Sequence, residues 1–392
     1  MPVAIWALAI ATFGIATTEF IVAGLLPEIA TEFSISIPTA GYMVTSYALG
    51  VFVGAPVLII LAGGIERKKM LSMLMVLFII GNALTTFSPT FYLAIIGRIV
   101  ASLTHGAFMG IGAIIAAELV PDNKKTTAIA FMFSGMTLAN LVGIPFGTWI
   151  GKAISWRVTF AIITMIGIIA LAGILKFLPK FDQKAPASIK KELQAFTNIH
   201  VLLAMGITVL GPAAFFTTVT YIAPLMTHVA GFSESAITGI LLVLGLGFFF
   251  GNIVGGKLAD KAIMPLLYWT LGLQSLILFI FWLYGDNPYI ACLSLFLMAA
   301  SGFATVSPIQ RLVMDKAQEA GAPNLVSSVN IGFFNLGNAV GAWLGGVIIA
   351  SHYGYTSLNL AGGLLALMAL LFAVISGLLD RKRTLNVEKR QS

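Results

Sequence analysis

The chain has 392 residues, of which 59% are hydrophobic and only 9% are charged, and its formal net charge is +7. A soluble domain carries about 25% charged residues, so these side chains could not cover a water-exposed surface. The composition excludes a soluble protein and predicts an integral membrane protein built of helices, since its apolar runs are long and continuous. Cys292 is the one cysteine of the sequence, which excludes an intrachain disulfide and a cysteine metal cluster.

Twelve apolar segments follow one another along the chain, and most have about the 20 residues that an α-helix needs to cross a bilayer. We predict spanning helices at approximately residues 5–26, 41–62, 70–87, 91–118, 127–150, 158–178, 201–224, 235–257, 265–284, 289–313, 327–350 and 357–379. The predicted fold is all-α, with twelve transmembrane helices. An even number of crossings places both ends of the chain on the same side of the membrane.

Basic residues indicate which side that is. All but three of the 22 basic residues lie in the connections on one side, for example in the run at 67–69. The connections on the other side hold only Lys152 and Arg157, and Arg98 lies within a segment. Because Lys and Arg are concentrated in cytoplasmic loops, both termini are predicted to be cytoplasmic.

The longest polar connection lies near the middle of the chain. We predict an N-terminal six-helix half at residues 1–178, a cytoplasmic linker at 179–198, a C-terminal six-helix half at 199–380 and a cytoplasmic tail at 381–392. Glycines and prolines recur at a shift of 197 residues, in pairs such as Gly14 and Gly211, Pro27 and Pro224, and Gly54 and Gly251. Because these residues mark bends and close contacts, the repeat predicts two halves of common ancestry with a substrate site between them at mid-membrane.

Glu19 lies inside the first apolar segment, roughly 10 Å before its end. A carboxyl group in hydrocarbon costs a few kcal/mol, which makes Glu19 a functional candidate. Arg98 lies about equally deep in the fourth segment, which runs the other way, so we predict a Glu19–Arg98 pair, direct or through water. A static ion pair that only fixes packing is the alternative. His105 follows two turns after Arg98 and is a secondary candidate for proton transfer, although an interhelical hydrogen bond is the more frequent role of such a histidine.

The second half lacks both buried charges, since the shift of 197 residues places Phe216 opposite Glu19 and Leu295 opposite Arg98. Proton coupling is therefore predicted to depend on the first half alone. The polar and aromatic residues that we place in the substrate cavity are Thr18, Tyr47, Asn140, Phe216, Tyr221, Asn330 and Asn335. The amides are the stronger candidates, because an amide that faces lipid is costly whereas a phenylalanine often only packs.

Two loops are candidates for a gate. The loop after the eighth segment reads Gly-Lys-Leu-Ala-Asp-Lys at 256–261, and Asp260 in it can cap a helix and pair with a basic residue, which would hold one conformation closed. After the second segment, Gly63 stands where Asp260 stands, and Glu66 and Arg67 remain as the candidates. The alternative is a pair of basic loops that only set the topology.

Glycines spaced four residues apart give two segments a smooth face. The fifth segment carries Gly143, Pro145 and Gly147, and the eleventh carries Gly341 within such a run. Both faces predict close helix packing. The functional alternative is a contact that also moves.

The repeat, the Asp260 loop, the embedded Arg98 and the Gly143–Gly147 motif resemble the major facilitator superfamily over nearly the whole chain. Within it, the sequence resembles the twelve-helix drug:proton antiporter family, in the arabinose-efflux-permease-like and purine-nucleoside-efflux-like branch. The resemblance implies that the helices of Glu19 and Arg98 line one cavity and that the glycine-proline motif lies at the contact between the halves. It further implies a monomer in a bacterial inner membrane that exports a drug, sugar or nucleoside by alternating access, with the proton as coupling ion and no other cofactor.

Other functions with the same fold remain open at this point. A facilitator or a proton-coupled importer of small polar metabolites would share every feature above, and a non-transporting receptor is a further alternative. The sequence has no phosphate-binding G-x-x-x-x-G-K-[ST] loop and no metal-spaced Cys/His cluster. We therefore predict neither an enzyme nor a metal site, and no nucleic-acid partner.

Overall fold

The computed structural model describes residues 1–62, 65–121, 124–180, 194–259, 261–320 and 323–391. This part of the chain contains 12 helices that are long and apolar enough to cross a membrane, which confirms the predicted all-α fold. They are α1 (Val3–Glu32), α2 (Tyr42–Ala62), α3 (Arg67–Thr86), α4 (Phe91–Glu118), α5 (125–153), α6 (Trp156–Phe177), α7 (Ile199–Val219), α8 (Ile237–Ala259), α9 (Ile263–Tyr284), α10 (Pro288–Glu319), α11 (Pro323–Ala350) and α12 (Ser357–Gln391). We call the face where α1 begins and α12 ends the terminal face, and the other the opposite face.

The first helix runs further than its apolar segment. It passes through Pro27, which lacks an N–H, and ends at Glu32 on the opposite face. Two ion pairs hold this last stretch: Glu28 Oε1 lies 2.6 Å from Lys152 Nζ, and Glu32 Oε1 lies 2.7 Å from Arg157 Nε. The two basic residues of the opposite face therefore anchor the end of α1 to α5 and α6.

The fifth helix is continuous but irregular. It consists of Lys125–Leu138, a wide π-helical turn at Ala139–Gly143, and Ile144–Ala153. Pro145 is the second residue after the wide turn and cannot donate a backbone hydrogen bond to the carbonyl of Leu141. The proline of the sequence motif thus accounts for the local change in winding, since such turns form where the regular ladder is interrupted.

Two other helices are also interrupted. The α10 span consists of Pro288–Ala304 and Val306–Glu319, and Pro308 is the third residue of the second part. After α7 the chain turns at Thr220 and Tyr221 and continues as the short helix Ile222–His228. These breaks lie at mid-membrane and near the opposite face.

The last helix extends to Gln391 and so includes most of the predicted tail. The predicted linker lies largely outside the described residues, because 181–193 are not among them. The division of the chain into two halves there stays a prediction. We keep the term "halves" for α1–α6 and α7–α12.

Small residues allow neighbouring helices to approach closely. A Cβ on Gly97 of α4 would lie 2.6 Å from the carbonyl oxygen of Gly81 in α3. A Cβ on Gly341 of α11 would overlap the carbonyl oxygen of Ala213 in α7. Gly341 therefore lies at a close approach of α11 to α7, and this contact lies within the second half.

The two halves meet mainly where α2 packs against α11 and where α5 packs against α8, and α1 adds smaller contacts. Phe20 of α1 lies 5.6 Å from Phe216 of α7, measured between ring centroids, and Phe52 of α2 lies 5.5 Å from Phe333 of α11. These contacts are apolar. They flank the mid-membrane position at which Glu19 lies.

Candidate functional site

Glu19 lies at the contact between the halves. Its carboxylate is 9% exposed, and its Oε1 accepts a hydrogen bond of 3.4 Å from Asn338 Nδ2 of α11. Its Oε2 lies 3.8 Å from His105 Nδ1 of α4. A single buried carboxylate thus contacts one helix of each half in addition to its own.

Arg98 is fully buried and holds the backbone of α1. Its Nη1 donates to the carbonyl oxygen of Thr18 at 2.6 Å and to the Thr18 hydroxyl at 3.1 Å, and its Nη2 donates to the carbonyl oxygen of Glu19 at 3.4 Å. Its Nε donates to the carbonyl oxygen of Met43 at 3.1 Å. The guanidinium carbon lies 4.2 Å from the centroid of the Tyr47 ring, which is a cation–π contact.

The structure shows no direct Glu19–Arg98 ion pair among the residues that it describes, and a pair through water stays a prediction. The guanidinium binds the main chain at Glu19, whereas the carboxylate turns towards His105 and Asn338. Arg98 can do this because its donors find carbonyl and hydroxyl oxygens, which costs less than leaving any of them unpaired in a buried site. Its positive charge still acts on the carboxylate at longer range.

Tyr47 and His105 extend the site away from Glu19. The Tyr47 hydroxyl lies 3.4 Å from His105 Nδ1, the same nitrogen that faces the Glu19 carboxylate. Which of the two is donor depends on the tautomer of the imidazole. We call Glu19, Tyr47, His105 and Asn338 the Glu19 cluster. It brings together three of the residues singled out in the sequence.

Thr18 belongs to the cage around Arg98 rather than to an open surface. Its hydroxyl donates to Asn82 Oδ1 at 2.7 Å while it accepts from Arg98, and Asn82 in turn donates to the carbonyl oxygen of Phe78. Asn82 was not among the predicted site residues. Like the predicted amides, Asn82 is a polar side chain within an apolar segment, and this pattern could have identified it.

The predicted amides of α11 divide between two roles. Asn330 donates to Gln310 Oε1 at 2.5 Å and accepts from Thr208 at 2.8 Å, so it joins α11 to α10 and α7 within the second half. Asn335 donates to the carbonyl oxygen of Ile331 one turn earlier and accepts from Asn338 at 3.4 Å. Asn335 therefore lies beside the Glu19 cluster, and Asn330 does not contact it.

Asn338 is a member of the Glu19 cluster that the sequence analysis did not single out. It follows Asn335 by three residues on the same face of α11 and is 2% exposed. Asn338 lies in the same apolar segment as Asn335, so the argument that made Asn335 a candidate applied to Asn338 as well.

An aromatic layer borders the cluster on the side of the second half. Phe216 contacts Phe20 of the first half and Phe215, and Phe248 stacks on Phe303 with ring centroids 4.0 Å apart. A small pocket lies in this layer and is lined by Gly211, Pro212, Phe215, Phe216, Gly302, Phe303, Thr305 and Phe334. Phe216, predicted as a cavity residue, is thus part of an apolar wall next to the cluster.

Tyr221 lies closer to the opposite face than predicted. Its hydroxyl donates to the carbonyl oxygen of Ala342, one turn of α11 beyond Asn338, at 2.9 Å. A Cβ on Gly41 would overlap this hydroxyl, and a Cβ on Gly346 would lie 2.7 Å from it. Tyr221 is therefore packed between the start of α2 and α11. It covers the Glu19 cluster from the opposite face.

The glycine-proline motif of α5 faces α1 within the first half. A Cβ on Gly143 would lie 2.7 Å from Thr17 Oγ1, and one on Gly147 would lie 2.8 Å from Ile21 Cδ1. The contact of α5 with α8 of the second half includes Asn140, whose main-chain carbonyl group packs against Gly245. The glycines therefore lie beside the contact between the halves, and Asn140 lies in it with its Oδ1 buried and unpartnered among the described residues.

The predicted gate residues of the first half stay within that half. Arg67 Nη1 lies 2.6 Å from Glu118 Oε2, which joins the start of α3 to the end of α4 on the terminal face. Glu66 precedes α3, and its Oε1 is buried with no hydrogen-bond partner among the described residues. Glu118 is therefore an ion-pair partner and not only a solvated side chain. Asp260 lies outside the described residues.

Comparison with known proteins agrees with this architecture. A family model described as Major Facilitator Superfamily matches residues 8–327. The chain is 42% identical over 370 residues to the inner membrane transport protein YdhP of Escherichia coli K12, covering 94% of this chain and 95% of that protein. It is 32% identical over 385 residues to a chloramphenicol resistance protein of Streptomyces lividans, covering 95% and 96% of the two chains.

The fold is similar to that of a solved transporter. A structure of the xylose transporter XylE from Escherichia coli, in a partially occluded inward-open conformation, superposes with a TM-score of 0.73 at 15% identity. The match covers 94% of this chain and 96% of that chain. With the family model, the relatives and the fold in agreement, the chain belongs to the major facilitator superfamily of small-molecule transporters.

Proposed function

We propose that this transporter exports a small organic molecule across a bacterial inner membrane in exchange for protons, and that Glu19 carries the proton. The observation that supports this most is the position of its carboxylate, buried at mid-membrane between His105 of one half and Asn338 of the other. An ionisable group in a membrane span is costly and is retained where function needs it. A group at the contact between two rocking halves changes its surroundings in each cycle, as proton exchange requires.

The cluster suggests how the proton is handled. Arg98 fixes the backbone of α1 at Thr18 and Glu19, so the carboxylate is presented at a constant position. The Tyr47 hydroxyl and Glu19 Oε2 lie 3.4 Å and 3.8 Å from the same nitrogen, His105 Nδ1, so an imidazole that takes up a proton at Nδ1 can pass that proton to Glu19 Oε2. Both distances exceed a good hydrogen bond, and contacts of this kind often tighten only in another state of the cycle. His105 is thus the intermediate group of the proposed path.

The substrate class follows from the walls of the cluster. One side offers a carboxylate and the amides of Asn335 and Asn338, and the other offers the aromatic layer around Phe216. A drug, sugar or nucleoside with polar groups and an apolar face fits such a surface. The relative from Streptomyces lividans is a chloramphenicol resistance protein, which supports export and makes chloramphenicol the first compound to test.

The remaining parts of the proposal concern the setting of the protein. We propose a monomer in the inner membrane with both termini in the cytoplasm, so that the terminal face is cytoplasmic. YdhP, an inner membrane transport protein, supports this location. The proton is the proposed coupling ion, without any other cofactor and without an enzymatic reaction.

Transport of chloramphenicol into proteoliposomes tests the proposal. The wild type is expected to accumulate the compound when a pH gradient is imposed, whereas Glu19→Gln is expected to lose this accumulation and keep substrate counterflow. Glu28→Gln is the matched control, because Glu28 lies on the same helix and pairs with Lys152 at the opposite face. It should accumulate chloramphenicol as the wild type does.

The same assay separates the alternatives. Gradient-driven accumulation that is unchanged in Glu19→Gln would refute the role of Glu19. Flux that only equilibrates in the wild type would indicate a facilitator, and accumulation along the direction of proton flow would indicate an importer. A protein that moves none of a panel of drugs, sugars and nucleosides would support a receptor.

A further inference from the structure

The hydrogen bond between Glu19 and Asn338 joins the two halves of the molecule. Among the side chains that the structure describes, it is the one hydrogen bond that joins α1–α6 to α7–α12. Its neighbours across the same boundary are aromatic pairs, such as Phe20 with Phe216 and Phe52 with Phe333. A polar link in an apolar interface has a large effect on the conformational equilibrium, because each partner loses its bond when the halves separate.

The chemistry of the contact depends on the proton of Glu19. An ionised carboxylate only accepts, so it bonds with the Nδ2 donor of Asn338, as found here. A bond to an ionised acceptor is roughly twice as strong as one between neutral groups. A protonated Glu19 can still accept through one oxygen, but the bond loses its charge assistance. The strength of the link between the halves thus depends on the charge of the carboxylate.

Asn338 is also open to a second partner. Its Oδ1 is buried and has no hydrogen-bond partner among the described residues, and its Nδ2 is shared between Glu19 and Asn335 at 3.4 Å each. A buried amide oxygen without a donor costs free energy, and a substrate hydroxyl or amine can supply that donor. A substrate that binds Oδ1 can turn the Asn338 amide so that Nδ2 leaves Glu19, and protonation removes the charge assistance of the same bond.

We infer that Asn338 is a positioning residue for transport, and that its bond to ionised Glu19 locks the empty carrier in the conformation in which the halves meet at the opposite face. Either a proton on Glu19 or a substrate on Asn338 releases the lock. An antiporter needs this behaviour, because a carrier that switches while empty would dissipate the gradient. The inference rests on the proposed function and adds to it the residue in the second half that responds to the proton.

The test measures conformation in the full-length protein, reconstituted in lipid nanodiscs without substrate. Spin labels are placed at Pro89 and Asp286, exposed residues of the two halves on the opposite face, in a Cys292→Ser background. Their distance distribution is recorded at alkaline and acidic pH. In the wild type the separated population should be small at alkaline pH and rise on acidification.

The variants make the test specific. Asn338→Leu keeps the volume but removes the donor, and it should raise the separated population at alkaline pH at least threefold, to the level of Glu19→Gln. Asn338→Gln restores an amide and should recover at least half of the pH response. Asn359→Ala is the matched control, since Asn359 is a buried amide that accepts from Thr218 within the second half. It should respond to pH as the wild type does.

Each outcome decides between the inference and the proposed function. If Asn338→Leu behaves as the wild type while Glu19→Gln does not respond to pH, the lock is wrong and Glu19 stays the proton site. If neither the wild type nor Glu19→Gln responds, both fail. Asn338→Ala is measured beside Asn338→Leu, so that a misfolded variant does not decide the result; the inference requires the same opening in both.

Discussion

Gly41 is the position at which a single methyl group should open the opposite face. Its backbone is in the right-handed helical region, with φ −57° and ψ −22°, so alanine is allowed there by conformation. A Cβ on Gly41 would, however, overlap the Tyr221 hydroxyl and lie 2.9 Å from Tyr221 Cζ. Because Gly41 belongs to the first half and Tyr221 to the second, the overlap disappears when the halves separate.

The magnitude of this effect follows from the contacts of Tyr221. To make room, its hydroxyl must give up the 2.9 Å hydrogen bond to the Ala342 carbonyl oxygen, which is worth about 0.6 to 1.5 kcal/mol. Overpacking of a buried site adds about 1 to 3 kcal/mol. We expect Gly41→Ala to shift the equilibrium towards separation by about 2 kcal/mol, or roughly 30-fold.

The spin-label pair at Pro89 and Asp286 measures this shift directly. Gly239→Ala is the control, because a Cβ there would meet nothing within 4 Å. Adding Tyr221→Phe to Gly41→Ala removes the overlapping oxygen and should reverse part of the opening. The reasoning is refuted if Gly41→Ala separates the labels no more than Gly239→Ala does.

Three further substitutions test other contacts. Arg98→Lys offers one ammonium group in place of a guanidinium that reaches both α1 and α2, so chloramphenicol transport in proteoliposomes should fall at least tenfold and the melting temperature should drop. Gly341→Leu forces a side chain into the Ala213 carbonyl oxygen and should cost about 2 kcal/mol or more, seen as loss of folded protein in size-exclusion chromatography. Arg67→Ala breaks a partly exposed pair with Glu118 and should change the free energy of unfolding by less than about 1 kcal/mol, since surface ion pairs contribute little. A larger loss in thermal unfolding would contradict the interpretation of this pair as a weak surface contact.

Much of the fold could be predicted because bilayer physics leaves few choices. Apolar length fixed the number of helices, and the fourth helix begins and ends at the predicted residues, Phe91 and Glu118. The ends of α1 and α12 were missed, because a helix continues into water where ion pairs or its own backbone bonds sustain it. The length of an apolar segment indicates how much of the chain lies in the hydrocarbon layer, but it does not indicate where the helix ends.

The candidate site was predictable in its residues but not in its pairings. Glu19, Arg98 and His105 were identified because charge in hydrocarbon is costly wherever it occurs. The sequence could not show that Arg98 binds the backbone of α1, because carbonyl acceptors are present at every residue. Asn338 was missed because several amides lie in the same apolar segment and the sequence pattern does not rank them. Only its contact with the other half distinguishes Asn338 from Asn330.

Titration of the buried carboxyl group by infrared spectroscopy tests the central claim most directly. The purified transporter in lipid nanodiscs is taken from acidic to alkaline pH, and the carbonyl stretch of protonated carboxyl groups is followed. Our account predicts a band that disappears on deprotonation in the wild type and in Glu28→Gln, and that is missing from Glu19→Gln. A band of equal size and equal pH dependence in Glu19→Gln would contradict the assignment of the transported proton to Glu19.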